Sequence, residues 1–247
     1  MPSSPKVEPR LLKGFRDYLP EDALPMRALG GIVVSVFERY GFLPMETPVL
    51  EYADLLTGKY GPEADKLMYR FVDHGEREVA MRYDHTVPLA RVVAMNQNLP
   101  MPFKRYAVDP VWRADKPQKG RLREFYQCDI DIVGSDEARA DAEVLAVCYD
   151  LLRELGVKKF GLQVSHRGVL DALVAAAGVA KTQVGGIFHA IDKFPKYGEA
   201  SFVEDVRALG LTEEQTAKLL AVIALNGSAH TMLPKIRAAV GNGAEAA

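Results

Sequence analysis

Apolar residues Leu29, Ile32, Val33, Val36 and Phe37 recur at helical spacing, predicting a long amphipathic helix over residues 22–40 that Asp22 caps and Gly41 closes. Residues 42–52 read as extended, and their two prolines, Pro44 and Pro48, place the strand at an edge or an interface. Residues 67–72 and 78–83 flank Asp73-His74-Gly75-Glu76-Arg77 and predict a hairpin. On its second arm Glu78, Ala80, Arg82 and Asp84 share one face while Val79, Met81 and Tyr83 share the other. Thr86 then opens a helix to about Asn96. The local alternative for Asp84 and Thr86 is that they cap this helix without touching a ligand.

The next segment concentrates the polar pattern. Residues 101–114 are extended in character, with Tyr106, Val108, Val111 and Trp112, and a second strand follows Arg121. In that strand Arg123, Phe125, Gln127, Asp129 and Asp131 fall on one face and Leu122, Glu124, Tyr126, Cys128, Ile130 and Ile132 on the other. The first face is too polar for a core. Between the strands, Arg113 is followed by Asp115-Lys116-Pro117-Gln118-Lys119-Gly120-Arg121, a basic loop that would suit a polyanion. Guanidinium groups donate paired hydrogen bonds to phosphoryl oxygens and stay charged at any working pH. From these residues alone, a solvated hairpin tip with ordinary surface charge explains the loop equally well.

Beyond the hairpin the pattern predicts a helix from a Ser135 cap to about Leu155, a strand over residues 158–165 and a helix over residues 167–177. The remainder is mainly helical, including residues 200–209 and a capping-box start at Thr212-Glu213-Glu214-Gln215 that leads to Ile223. Strands gather between residues 42 and 165 with helices at both ends, which is an α+β pattern.

Composition adds a few boundaries. The 247 residues are 48% hydrophobic, enough for a buried core, and carry a formal charge of -2. That balance gives no global nucleic-acid footprint, so an RNA contact would have to be local. Cys128 and Cys148 form neither a metal-ligand spacing nor a disulfide framework, and the five histidines show no metal spacing, so no metal site is expected. No stretch approaches the ~20 apolar residues of a membrane span and no apolar signal region opens the chain, so a cytoplasmic protein without membrane partners is expected. No glycine fingerprint of the dinucleotide or Walker type occurs, and any nucleotide site would be built on the sheet.

With these residues in view, the chain resembles the N-terminal catalytic part of the histidyl-tRNA synthetase family of class II aminoacyl-tRNA synthetases. Lys13-Gly14-Phe15-Arg16-Asp17 resembles the family's N-terminal signature, and the helix ending at Gly41 with the strand containing Pro48 resembles motif 1. Residues 111–134 resemble motif 2 with its histidyl-specific extension, and Arg82-Tyr83-Asp84-His85-Thr86-Val87-Pro88 resembles the amino-acid-binding segment. The resemblance covers residues 12–164 and continues more loosely onward.

It implies a six-stranded antiparallel sheet flanked by helices, a motif 1 homodimer, and activation of L-histidine by MgATP before transfer to tRNA(His). By position, Arg113 would hold the α-phosphate as the catalytic residue, Asp115 would meet adenine, Phe125 would stack on the base, and Arg121 and Arg123 would lie on the phosphate side. Asp84, Thr86 and Gln127 would bind the α-amino end of histidine, and Asp131 would read the imidazole. The chemistry fits such a set: the attacking carboxylate is already ionised, so no general base is needed and catalysis rests on positioning and charge stabilisation.

The domain reading that follows is a disordered leader over residues 1–10, a catalytic core over 11–165, and a helical continuation into the family's insertion region over 166–247. The second histidine signature, the Gly-rich motif 3 and the anticodon-binding domain are not found in the sequence. That leaves, beside a synthetase catalytic-domain fragment, a non-catalytic relative acting as the histidine-sensing regulatory subunit of ATP phosphoribosyltransferase. A third reading, an RNA-binding scaffold, lacks a basic stripe.

Overall fold

Pro20, whose missing N–H costs nothing in a first turn, begins helix α1 (Pro20–Arg39), so Leu19 and not Asp22 occupies the cap position. Asp22 lies inside the first turn and pairs with Arg16. At the other end Gly41 takes a left-handed φ of 77°, the conformation that favours glycine after a helix. The computed structural model describes residues 8–59 and 65–240. Most of the expected leader, residues 1–7, and the Gly/Ala/Glu tail, residues 241–247, lie outside the described residues.

The chain divides into two compact units, Met1–Leu162 and Gln163–Ala247. In the first, β1 (Leu43–Pro44), β2 (Leu50–Tyr52), α2 (Ala53–Leu56), β3 (Arg70–Val72), β4 (Glu78–Met81), α3 (Thr86–Met95), β5 (Phe103–Trp112), β6 (Glu124–Val133) and α4 (Ala138–Glu154) follow in order. Among the described residues the six strands form two three-stranded sheets, β1-β5-β6 and β2-β4-β3, where the resemblance implies a single antiparallel sheet. β1 also runs parallel to β5, while the other pairings are antiparallel. β1, which contains Pro44, and β2, which follows Pro48, are both edge strands, where a missing N–H donor is tolerated.

One face of the β5–β6 pair is built for a core. Tyr106, with Val108, Ile130 and Ile132, packs against Val33, Val36 and Phe37 of α1 and Val147 of α4. Polar ties brace the same layer: the Tyr40 hydroxyl donates to Asp150 at 2.7 Å and the Tyr106 hydroxyl to Glu38 at 3.0 Å. Helix α4 begins later than expected, because Ser135 accepts only a long 3.4 Å bond from the Glu137 N–H while Glu137 takes the cap position.

Residues 158–165 carry the alternation of a strand yet form none, since no strand among the described residues lies alongside to exchange hydrogen bonds. The second unit is helical: α5 (Arg167–Ala176), a 3-10 turn, α6 (Val184–Ala208), α7 (Glu213–Ile223) and α8 (Ala229–Val240). Leu173, Ile187, Phe202, Val206 and Leu219 form its core. The Thr212 capping box is present, with Thr212 Oγ1 accepting from the Gln215 N–H at 3.2 Å and Gln215 Oε1 from the Thr212 N–H at 3.0 Å.

Candidate active site

The register of the central hairpin explains its polar face. Val111 lies opposite Phe125, Asp109 opposite Gln127, Ala107 opposite Asp129 and Arg105 opposite Asp131. Cross-strand partners share a face, so these residues line the side opposite the core of α1 and α4. The face has two chemically different ends.

At the Phe125 end a cleft of about 390 Å³ is lined by Arg16, Arg113, Asp115, Gly120, Arg121, Leu122 and Phe125. The Arg113 guanidinium carbon lies 4.3 Å from the Tyr83 ring centre and 5.2 Å from that of Phe125, and its Nε donates to the Tyr83 carbonyl at 3.1 Å. Two aromatic rings thus hold the guanidinium in place without neutralising it. Asp115 is buried and accepts from Arg121 Nη2 at 3.0 Å. Arg123 serves the loop: Nε donates to the Asp115 carbonyl at 3.0 Å and Nη1 to the Lys13 carbonyl at 3.2 Å.

At the Asp131 end the charges reverse. Arg105 is completely buried, with Nη2 2.5 Å from Asp131 Oδ2 and donating to the His85 carbonyl at 3.1 Å. Asp129 and Asp131 are both pushed above the usual carboxylate range, by burial first, against the downward pull of Arg105. Asp84 adds like charge to both. Burial pushes the His85 imidazole down, so it is neutral near pH 7, and a ring nitrogen lies 3.3 Å from the Asp109 carbonyl. Four buried polar atoms lack an aligned hydrogen bond here: Arg105 Nε and Nη1, Gln127 Oε1 and Asp131 Oδ2. The last is in ionic contact with Arg105 without hydrogen-bond alignment. Unsatisfied groups of this kind are costly unless a ligand or water meets them.

Asp84 Oδ1 accepts from the N–H groups of Thr86 at 3.0 Å and Val87 at 3.3 Å, so the local capping role anticipated for this pair is real. Its charge still faces Asp129 and Asp131. Arg113, Asp115, Arg121 and Phe125 come together around one cleft, and Gln127 and Asp131 share the hairpin face. The sequence pattern alone does not single out Arg16, Arg105 or Asp129 as binding residues. Arg105 could have been found by pairing the two strands residue by residue, and Asp129 by completing the alternation from Gln127 to Asp131. Among the described residues no group of three or more His, Cys, Asp or Glu could hold a metal ion. Nor is any helix among them long and apolar enough to cross a membrane.

The model of the family described as histidyl-tRNA synthetase matches residues 14–246. The chain belongs to the histidyl-tRNA synthetase family. A histidine–tRNA ligase of Wolinella succinogenes is 43% identical over 221 residues, covering 89% of this chain and 50% of the relative. One from Aeropyrum pernix is 42% identical over 241 residues, covering 95% and 54%. The chain thus spans about half the length of the curated relatives it matches. Among solved structures, histidyl-tRNA synthetase from Nostoc sp. PCC 7120 superposes with a TM-score of 0.84 at 29% identity, covering 96% of this chain and 54% of that one. A Bacillus halodurans protein described as an ATP phosphoribosyltransferase regulatory subunit/histidyl-tRNA synthetase gives 0.83 at 22% identity, covering 99% and 62%, a likeness of fold. The fold is the α+β fold of histidyl-tRNA synthetases.

Proposed function

We propose that this chain carries the adenylation pocket of a cytoplasmic histidine–tRNA ligase, in which L-histidine and MgATP form histidyl-adenylate before transfer to tRNA(His). The observation that carries the reading is the division of one strand-pair face into an arginine-lined cleft and a cluster of acids around Arg105. From Phe125 to Asp131 the strand rises roughly 20 Å, room for a nucleotide and an amino acid laid end to end.

In this reading Phe125 stacks on adenine, Asp115 meets its exocyclic amine, and Arg113 grips the α-phosphate where the two ends meet. Arg121 adds charge on the phosphate side, and Arg123 supports it by holding the loop. Asp84, Thr86 and Gln127 receive the α-ammonium group, and Asp131 accepts from the imidazole N–H. The histidine carboxylate attacks the α-phosphorus and pyrophosphate leaves. Negative charge grows on the equatorial oxygens, where Arg113 stabilises it more than in the ground state. Magnesium enters with the ATP phosphates as part of the substrate. An amino acid without the N–H donor would leave the second oxygen of Asp131, the one not held by Arg105, without a donor at the bottom of the site, and this is the filter.

Calorimetric titration of L-histidine and ATP, each alone, into the chain and its Asp131→Asn variant tests the reading. The variant should lose histidine far more than ATP; equal weakening of both refutes the assignment. Histidine-dependent pyrophosphate exchange then separates a ligase, which exchanges, from a regulatory relative that binds histidine without exchange.

A further inference from the structure

Arg105 is the largest fully buried side chain among the described residues. A strand position facing inward needs no guanidinium, since a well-packed apolar residue of similar volume usually serves stability as well or better. The charge therefore calls for another explanation, and its contacts supply one. Arg105 meets its cross-strand partner Asp131 at Oδ2 and the carbonyl of His85, which stands at the start of α3. Around Asp131 lie Arg105 on β5, Asp129 on β6, and Asp84 and His85 before α3, so three carboxylates crowd around the Arg105 cation, with Arg113 reaching only Asp129 among them.

Asp131 Oδ2 is sealed from solvent, yet 28% of the Asp131 side chain remains exposed. One oxygen is thus committed to Arg105, while the side chain as a whole keeps an accessible surface. Without the cation, three crowded acids would share protons, and a protonated Asp131 could donate where an acceptor is needed.

We propose that Arg105 is a positioning and specificity residue: it binds Asp131 Oδ2 in the interior, so that the other oxygen is presented as a fixed acceptor to the N–H of the substrate imidazole. This rests on the histidine-activation reading. Arg105 itself touches neither ATP nor the reacting carboxylate, and acts through Asp131.

Two measurements on the chain decide the matter. The first follows the Asp131 carboxyl carbon by NMR against pH in the absence of ligand, assigned by its loss in Asp131→Asn. Arg105→Met should move the titration midpoint upward. The second is calorimetric titration with L-histidine and, separately, ATP. Arg105→Met should weaken histidine on the order of 100-fold and leave ATP at its wild-type affinity, while Arg105→Lys should recover part of the loss. Should Arg105→Met fail to fold, the double variant Arg105→Met/Asp131→Asn removes both charges, and it should bind histidine no worse than Asp131→Asn alone. An unmoved Asp131 titration, equal weakening of both ligands, or additive losses in the double variant would each overturn the proposal. Wild-type chain that takes up no histidine would instead defeat the functional reading, while the carboxyl titration would still decide whether Arg105 governs Asp131.

Discussion

Arg123 donates its backbone N–H to the Gly14 carbonyl at 2.7 Å and its Nη1 to the Lys13 carbonyl at 3.2 Å, tying the hairpin to the loop that carries Arg16. Gly14 has a φ of 88°, and a Cβ there would lie 2.8 Å from the Arg123 Cγ and Cδ and 2.9 Å from the Pro117 Cγ. Gly14→Ala should therefore cost about 1–2 kcal/mol in backbone strain alone, read by urea denaturation. It should also weaken ATP more than histidine, because the displaced loop borders only the nucleotide cleft. An unchanged ATP affinity with a normal fold would show that the loop is not part of that site.

Arg113→Ala in the complete enzyme should lower histidine-dependent pyrophosphate exchange on the order of 100-fold or more. Arg113→Lys should recover little of it. Lysine keeps the charge but has neither the planar fork nor the flat surface that rests between Tyr83 and Phe125. A fall of less than tenfold with the fold intact would remove Arg113 from the phosphate clamp.

Much of this arrangement was legible because it depends on local pattern. The period-two alternation of Arg123, Phe125, Gln127, Asp129 and Asp131 gave the site face directly, and the Thr212 capping box and Gly41 stop follow from short-range chemistry. Asp22 misled because a proline at the first helical position does the work of a cap without a side-chain bond. The strand expected over residues 158–165 failed for a different reason. Alternation specifies a surface for pairing but not the presence of a partner. Arg105 was hidden because its meaning lies in a contact 26 positions away, which no local window contains.

Stability should carry the mark of the crowded acids. The folded pKa of Asp129 lies above its unfolded value, so its contribution is favourable to folding at acid pH and is lost as pH rises through the folded pKa. Asp129→Asn should accordingly raise the melting temperature at pH 7, with the gain shrinking as the pH falls and vanishing only below the unfolded value of about 3.9, where the carboxyl is protonated in both states. Histidine binding should weaken in the same variant, a trade of stability against function expected of buried charge in a site. His85 works in the opposite sense. Its folded pKa is depressed, so protonation of the unfolded chain erodes stability as pH falls below about 6.5. A thermal gain from Asp129→Asn that is independent of pH would point to packing and not charge.

The resemblance to motif 1 leads us to expect self-association, and the outer face of the β2-β4-β3 sheet offers the surface. Leu50, Tyr52 and Phe71 lie on one side of that sheet, the latter two 54% and 47% exposed, while Ala80 faces the core formed with Leu56 and Met68. Leu43 on the edge strand β1 is 64% exposed. Apolar side chains grouped in this way on a sheet with open edges favour association, and a two-fold interface would bring Tyr52 of both copies into the same patch. Sedimentation equilibrium should find a dimer whose dissociation constant rises on the order of tenfold or more in Tyr52→Glu, since aromatic anchors carry a large share of interface energy and two carboxylates would face each other near the axis. Histidine affinity should change little, because the residues assigned to histidine lie on β6 and at the start of α3, and Tyr52 lies on β2. A wild-type chain that stays monomeric at high concentration would reject this surface as the dimer contact.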